Sequence, residues 1–170
     1  MDWNARILEQ FTWHWQQQAR PRLDGLTDEE YLWEPAPNSW SIRPGGIDWA
    51  YPEPQPAPVT TIAWRFGHLL VGVFGARVAS HFGGPPVDYQ SYDYPTTATD
   101  ALARLDEVVG SWVDGVQHLD EQAWARPVGE AEGPWAAEPM VTLVLHIHRE
   151  AIHHLAEIVL LRDLWAHRGR

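Results

Sequence analysis

From Pro139 to His167 the chain runs without a glycine or a further proline, and apolar residues recur every three to four positions. That spacing belongs to an amphipathic helix, and Pro139 suits its first turn. Placed at about 100° per residue, Leu143, Ile147, Ile158 and Leu161 share one arc, which must face a core. His146, Glu150, His154 and Glu157 fall in the same arc. A long helix with polar side chains among its core positions needs facing helices to cover it and a partner for its carboxylate.

Three more segments have helical spacing. Residues 3–20 place Ile7, Leu8, Phe11, Trp15 and Gln18 on one face, and Pro21 ends the run. Residues 60–82 form a second helix, with Thr60 or Thr61 as its cap and Gly83-Gly84-Pro85-Pro86 as its stop. Residues 98–119 carry the stripe Leu102, Leu105, Val109, Trp112, Val113 and Val116. Strand signals are weak throughout. The expected fold is all-α: a four-helix bundle over residues 1–170 as one domain, with long irregular loops between helices 1 and 2 and between helices 3 and 4. The first loop, 34–59, holds seven prolines, with Trp40, Trp49 and Tyr51 to pack it down. Thr27-Asp28-Glu29-Glu30 reads as a capping box just before it. Residues 87–97 and 120–138 are irregular.

The helix around Glu150 also bears on chemistry. A carboxylate among Leu and Ile costs several kcal/mol unless it is paired. Glu150 and His154, four residues apart, stack on one face and reach a single ion together. A borderline divalent cation accepts imidazole nitrogen and carboxylate oxygen at once. Two ligands on one helix call for a third from a facing helix, and His68 is the candidate in Trp64-Arg65-Phe66-Gly67-His68-Leu69-Leu70. Gly72, Gly75 and Ala79 share the arc of His68, leaving room for close helix approach or for a ligand. His153 beside His154 leaves open which imidazole turns inward. His148 lies across the wheel from Glu150 and is read as a non-ligand. His14, His81, His118 and His167 read as surface or helix-end residues.

Composition removes several alternatives. No cysteine is present, which excludes disulfides, thiolate metal sites and cysteine nucleophiles. The formal net charge is −11, and the 12 basic residues, all arginine, are scattered; nucleic acid is therefore not an expected partner. No run reaches the roughly 20 apolar residues of a membrane span, and no secretory leader opens the chain, so the expected location is cytoplasmic. Eleven tryptophans suit rigid core filler, an aromatic-walled pocket, or both.

Four features together resemble the DinB-like superfamily of four-helix-bundle metalloenzymes: Trp40-Ser41-Ile42-Arg43-Pro44, His68, His153-His154, and Glu157-Ile158. The resemblance covers nearly the whole chain. It implies a divalent metal held by one residue of the second helix and two of the last, which map to His68, Glu150 and His154. Most members use three histidines; Glu150 departs from that form and is similar to the mycothiol-dependent maleylpyruvate isomerase branch. Zn is the expected ion, with Ni, Fe and Mn as alternatives. The resemblance implies a small-molecule substrate and a transferase or isomerase that activates a low-molecular-weight thiol such as mycothiol or bacillithiol. The alternatives are a hydrolase using metal-bound hydroxide and a non-catalytic, stress-associated metal-binding or interaction protein. Relatives also suggest a homodimer. Glu157 and His153 are candidates to orient the ligands, and Arg43 either holds a substrate carboxylate or forms a structural salt bridge. Residues 45–60 are inserted relative to the usual family pattern and are a candidate pocket wall. No residue is assigned a catalytic role.

Overall fold

The computed structural model describes residues 3–169. It is mostly α-helical. Helix α1 (Trp3–Trp13) runs on through a π-helical segment, His14–Ala19, and a 3-10 turn, Arg20–Leu23. The short α2 (Asp28–Tyr31) follows, then a small antiparallel hairpin of β1 (Ile42–Arg43) and β2 (Gly46–Ile47). The second long helix comes in three pieces: α3 (Ile62–His68), a π-helical segment Leu69–Val73, and α4 (Gly75–Phe82). Helix α5 (Ala98–Gln117), the short α6 (Glu121–Ala125), a 3-10 segment (Glu130–Trp135) and α7 (Met140–His167) complete the chain.

The caps follow the chemistry of their residues. The Thr61 hydroxyl accepts the Trp64 N–H and starts α3, and Thr97 does the same for α5 through Asp100. Gly83 ends α4 in the left-handed conformation, φ 73°, where a side chain would be strained. Thr27 accepts the Glu30 N–H as a capping residue should, but the Glu30 carboxylate does not turn back to complete the box. It is buried and takes the Arg162 guanidinium at 2.7 Å, which ties α2 to the far end of α7.

Helix α1 packs on both α5 and α7, and α3 packs on the same two. Apolar side chains meet between these four long segments: Phe11 lies 5.7 Å from Phe74, and Phe74 6.2 Å from Trp112, ring centre to ring centre. Of the predicted α5 stripe, Leu105, Val109, Trp112 and Val116 are buried and Leu102 and Val113 partly so.

Three expectations need correction. Gln18 is exposed and Ala19 buried, because the π-helical turn inserts a residue and moves the inward position by one. In the 34–59 loop Trp40 packs against Trp64 at 5.9 Å, but Trp49 and Tyr51 stack on each other in solvent, 70% and 85% exposed. His81 stands at the end of α4, one of the two places expected of it, but not at the surface: its imidazole is buried against Glu132, Nε2 to Oε1 3.0 Å, and pins the 120–138 stretch to α4 together with Arg77. Among the described residues, no helix is long and apolar enough to cross a membrane.

Candidate metal centre

Two helices supply the polar groups. Helix α3 contributes Trp64, Arg65 and His68, and α7 contributes Glu150, His154 and Glu157. The rings of His68 and His154 meet edge to face with centres 4.7 Å apart. Residues 86 positions apart in sequence thus converge between α3 and α7.

His154 is buried, and its two nitrogens have different neighbours. Nδ1 lies 2.8 Å from Glu157 Oε2 and 3.2 Å from an Arg65 nitrogen; Nε2 lies 3.9 Å from Glu150 Oε2. The shorter contact decides the proton. An ionised carboxylate only accepts, so Nδ1 carries a hydrogen and donates it to Glu157; in the neutral ring the lone pair is then on Nε2. Arg65 also pairs with Glu157 at 3.0 Å. Burial by itself would push the Glu157 carboxyl up; the hydrogen bond from His154 and the charges of Arg65 and His153 outweigh it, and the group stays ionised below the usual carboxylate range.

His68 is stacked on Trp64, centres 5.4 Å apart, and its Nδ1 lies 2.6 Å from the Tyr89 hydroxyl. Burial, reinforced by His154, Arg65 and Arg77, pushes its pKa down to about 4. The imidazole is therefore neutral at physiological pH, the state a metal ligand requires. Trp64 is fixed in turn by the inserted loop, its indole N–H donating to the Asp48 carbonyl at 2.8 Å. The Asp48 carboxylate accepts from the Ser41 N–H and from Arg43, and Arg43 also reaches Glu34 at 2.8 Å. Arg43 is thus a structural ion-pair residue that ties the Trp-Ser segment together.

Glu150 sits less deep than the helical wheel implies. Its side chain is 32% exposed, with Arg149 Nε at 3.5 Å and His146 Nδ1 at 3.7 Å from Oε1. His146, expected on the core arc, is 44% exposed. The predicted carboxylate in an apolar core is therefore a carboxylate at its edge, and the cation is not needed to offset full burial. The tightest grouping of ligand atoms among the described residues is a different trio: His153, His154 and Glu157 offer atoms within 4.8 Å of one another. Its His153 is 61% exposed.

The glycines beside His68 do not face an open cavity. A Cβ at Gly72 would lie 1.8 Å from the Tyr89 hydroxyl, and one at Gly67 would press on Ile47 and Tyr94 at 2.9–3.0 Å. The 87–97 loop fills the space that small residues leave. The open space lies farther along α7: a cavity of about 550 Å³ bounded by Leu143, Leu145, His146 and Arg149, with Trp135 and Arg77 opposite. Arg65 and Tyr89 escape a reading by spacing alone. Arg65 could have been noticed as a charge beside the apolar arc of a helix; Tyr89 lies in a loop and gives no periodic signal.

A DinB superfamily model matches residues 46–158. The chain belongs to the DinB superfamily. The matched span includes His68, Glu150, His154 and Glu157 and leaves out the Trp40–Gly45 segment. Comparison with curated proteins and with solved structures gives no match. The donor chemistry of this DinB superfamily member fits a divalent ion: two imidazoles, each with Nδ1 engaged elsewhere, and carboxylates close by.

Proposed function

We propose that this DinB superfamily member binds a divalent cation, Zn foremost, through His68, His154 and Glu150, and uses it in a transferase or isomerase reaction on a low-molecular-weight thiol. The observation that carries the reading is His154: a buried imidazole whose Nδ1–H is held by a carboxylate, so that Nε2 keeps its lone pair beside Glu150 and edge-on to His68. Bonds of this kind fix the tautomer of metal-bound histidines and raise their basicity. A bound divalent ion with an open position lowers the pKa of a thiol or water that reaches it.

The chain's own residues supply the rest. Glu157 and Arg65 hold His154 in place. Leu143, Leu145 and Trp135 offer an apolar wall in the adjoining cavity, and Arg149, at its edge beside Glu150, offers a cation to an anionic substrate group. Thiol chemistry comes from the family; the cavity supports it only by placing space for a small molecule at His146 and Arg149, two residues that neighbour Glu150. We assign the activity to the cytoplasm, where such thiols are kept reduced.

The gathering of His153, His154 and Glu157 favours a second ligand set. It is the weaker one on electrostatic grounds. Glu157 already carries the Arg65 guanidinium at 3.0 Å, and a cation seated on Glu157 would face that positive charge. Metal analysis of freshly purified protein separates the two. Stoichiometric metal in the parent and in His153→Ala, with none in His68→Ala and Glu150→Ala, is the expected result. Metal retained by His68→Ala and lost by His153→Ala would transfer the site to the second set; a metal-free parent would remove both.

A further inference from the structure

Tyr89 stands on a loop, yet its hydroxyl lies 2.6 Å from His68 Nδ1. The contact is built into the fold from both sides. On the α3 side, position 72 lacks a side chain, and a Cβ there would collide with the hydroxyl at 1.8 Å and with His68 Nδ1 at 3.1 Å. On the loop side, Tyr94 occupies the space above Gly67 and donates its hydroxyl to the Tyr89 carbonyl at 2.9 Å, fixing the loop backbone. Glycine inside a helix costs about 1 kcal/mol relative to alanine. Two glycines of the helix that carries His68, Gly67 against Tyr94 and Ile47 and Gly72 against Tyr89, satisfy a packing demand, and that demand brings the Tyr89 phenol onto His68.

We propose that Tyr89 is a positioning residue for the cation of the reading above: its oxygen accepts the Nδ1–H of His68 and leaves Nε2 as the ring's lone pair for the metal. The inference rests on that metal reading and adds a residue to it. His154 and His68 then follow one design with different partners. The α7 imidazole gives its Nδ1–H to an anionic carboxylate, Glu157, and the α3 imidazole gives its Nδ1–H to a neutral phenol. Burial pushes the Tyr89 pKa up to about 12, so the phenol stays uncharged and adds no negative charge to a site that already has Glu150.

The test uses Tyr89→Phe, which keeps the ring and removes only the oxygen, with Tyr51→Phe as the control that removes a solvent-exposed hydroxyl outside the site. Zn affinity is measured by competition against a chromophoric chelator. The expected result is a roughly 10–100-fold weaker Kd for Tyr89→Phe, with Tyr51→Phe close to the parent. Circular dichroism melts of the metal-free proteins confirm that the variants are folded. In parallel, 15N-edited spectra of the metal-free parent report the His68 tautomer, with protonated Nδ1 and unprotonated Nε2 expected. An unchanged Kd in Tyr89→Phe, or a proton on Nε2 of His68, overturns the role of Tyr89 while leaving the metal site standing. A parent that binds no Zn in the same titration overturns the metal reading itself, and this inference with it.

Discussion

His148 and His154 are six residues apart on α7, both buried, and they face opposite problems. His154 has a carboxylate for its Nδ1–H. His148 is packed on Phe11, ring centres 5.0 Å apart and nearly parallel, with the Trp112 edge at 6.1 Å, and its Nε2 has no hydrogen-bond partner. Burial pushes its pKa down to about 4, against about 6.5 in an unfolded chain. Between those two values the unfolded state binds more protons than the folded state. The stability is therefore fully present above the unfolded pKa and is lost as pH falls through this window. His148→Phe removes the effect and the unpartnered nitrogen together. Urea denaturation of metal-free protein is expected to show the variant gaining on the parent by about 2 kcal/mol between pH 7 and pH 5. His68 has a shift of the same sign, but it is present in both proteins and cancels. A pH-independent difference between variant and parent would show that His148 is not held neutral by its surroundings. At this scale the sequence was informative about direction and poor about depth. The helical wheel places His148 away from Glu150, and His68 and His154 do meet. Yet the wheel assigns an angle around the axis and knows nothing of where the neighbouring helix stops, so it treats Glu150 and His146 as core residues although both lie at the rim.

At the scale of elements, the long segments stand where apolar spacing puts them, and their ends stand where threonine and glycine put them. Two interruptions were invisible. The π-helical turns at His14–Ala19 and Leu69–Val73 arise within unbroken apolar spacing, with no proline to announce them. Each adds a residue to a turn and shifts every later inward position, which is why Ala19 replaces Gln18 in the core. The second of them begins directly after His68 and lets the Leu70 carbonyl lean toward Gly75, where a Cβ would meet it at 2.2 Å. The start of the same helix offers a test. Thr61 is fully buried; it caps α3 through the Trp64 N–H and donates its hydroxyl proton to Ser41 Oγ at 3.0 Å. Its own N–H donates to the Trp40 carbonyl, which holds the Trp-Ser segment against the helix that carries His68. Thr61→Val conserves shape and removes the hydroxyl. Losing a cap costs about 1 kcal/mol, and the orphaned Ser41 hydroxyl adds a comparable amount. The expected loss is about 2 kcal/mol in chemical denaturation. A loss within a few tenths would mean that backbone bonds alone fix the start of α3.

At the scale of the whole molecule, the chain has many ways of tying its loops to its helices, and few of them could be read in advance. Glu30 reaches Arg162, Glu132 reaches His81 and Arg77, and Tyr89 reaches His68, each pairing a loop or short element with a distant helix. These partners lie roughly 20 to 130 positions apart, and nothing in local spacing couples them. What spacing does establish is the bundle, and the bundle is enough to bring α3 against α7. A cation shared by these two helices would bind the folded state and not the unfolded one, in which residues 68 and 154 are far apart. Binding of that kind raises stability by RT ln(1 + [L]/Kd), about 2.7 kcal/mol at a free ion concentration of 100 times Kd. For a chain of this size 1 kcal/mol moves Tm by about 2–4 °C, so saturating Zn is expected to raise Tm by roughly 5–10 °C over the chelator-treated protein. His68→Ala should abolish the increment whatever its own Tm in chelator, because the bridge then lacks its α3 end. An equal increment in parent and His68→Ala would mean that the ion is held by α7 alone, and the two helices would then owe their approach to apolar packing and to the edge-to-face contact of the two imidazoles.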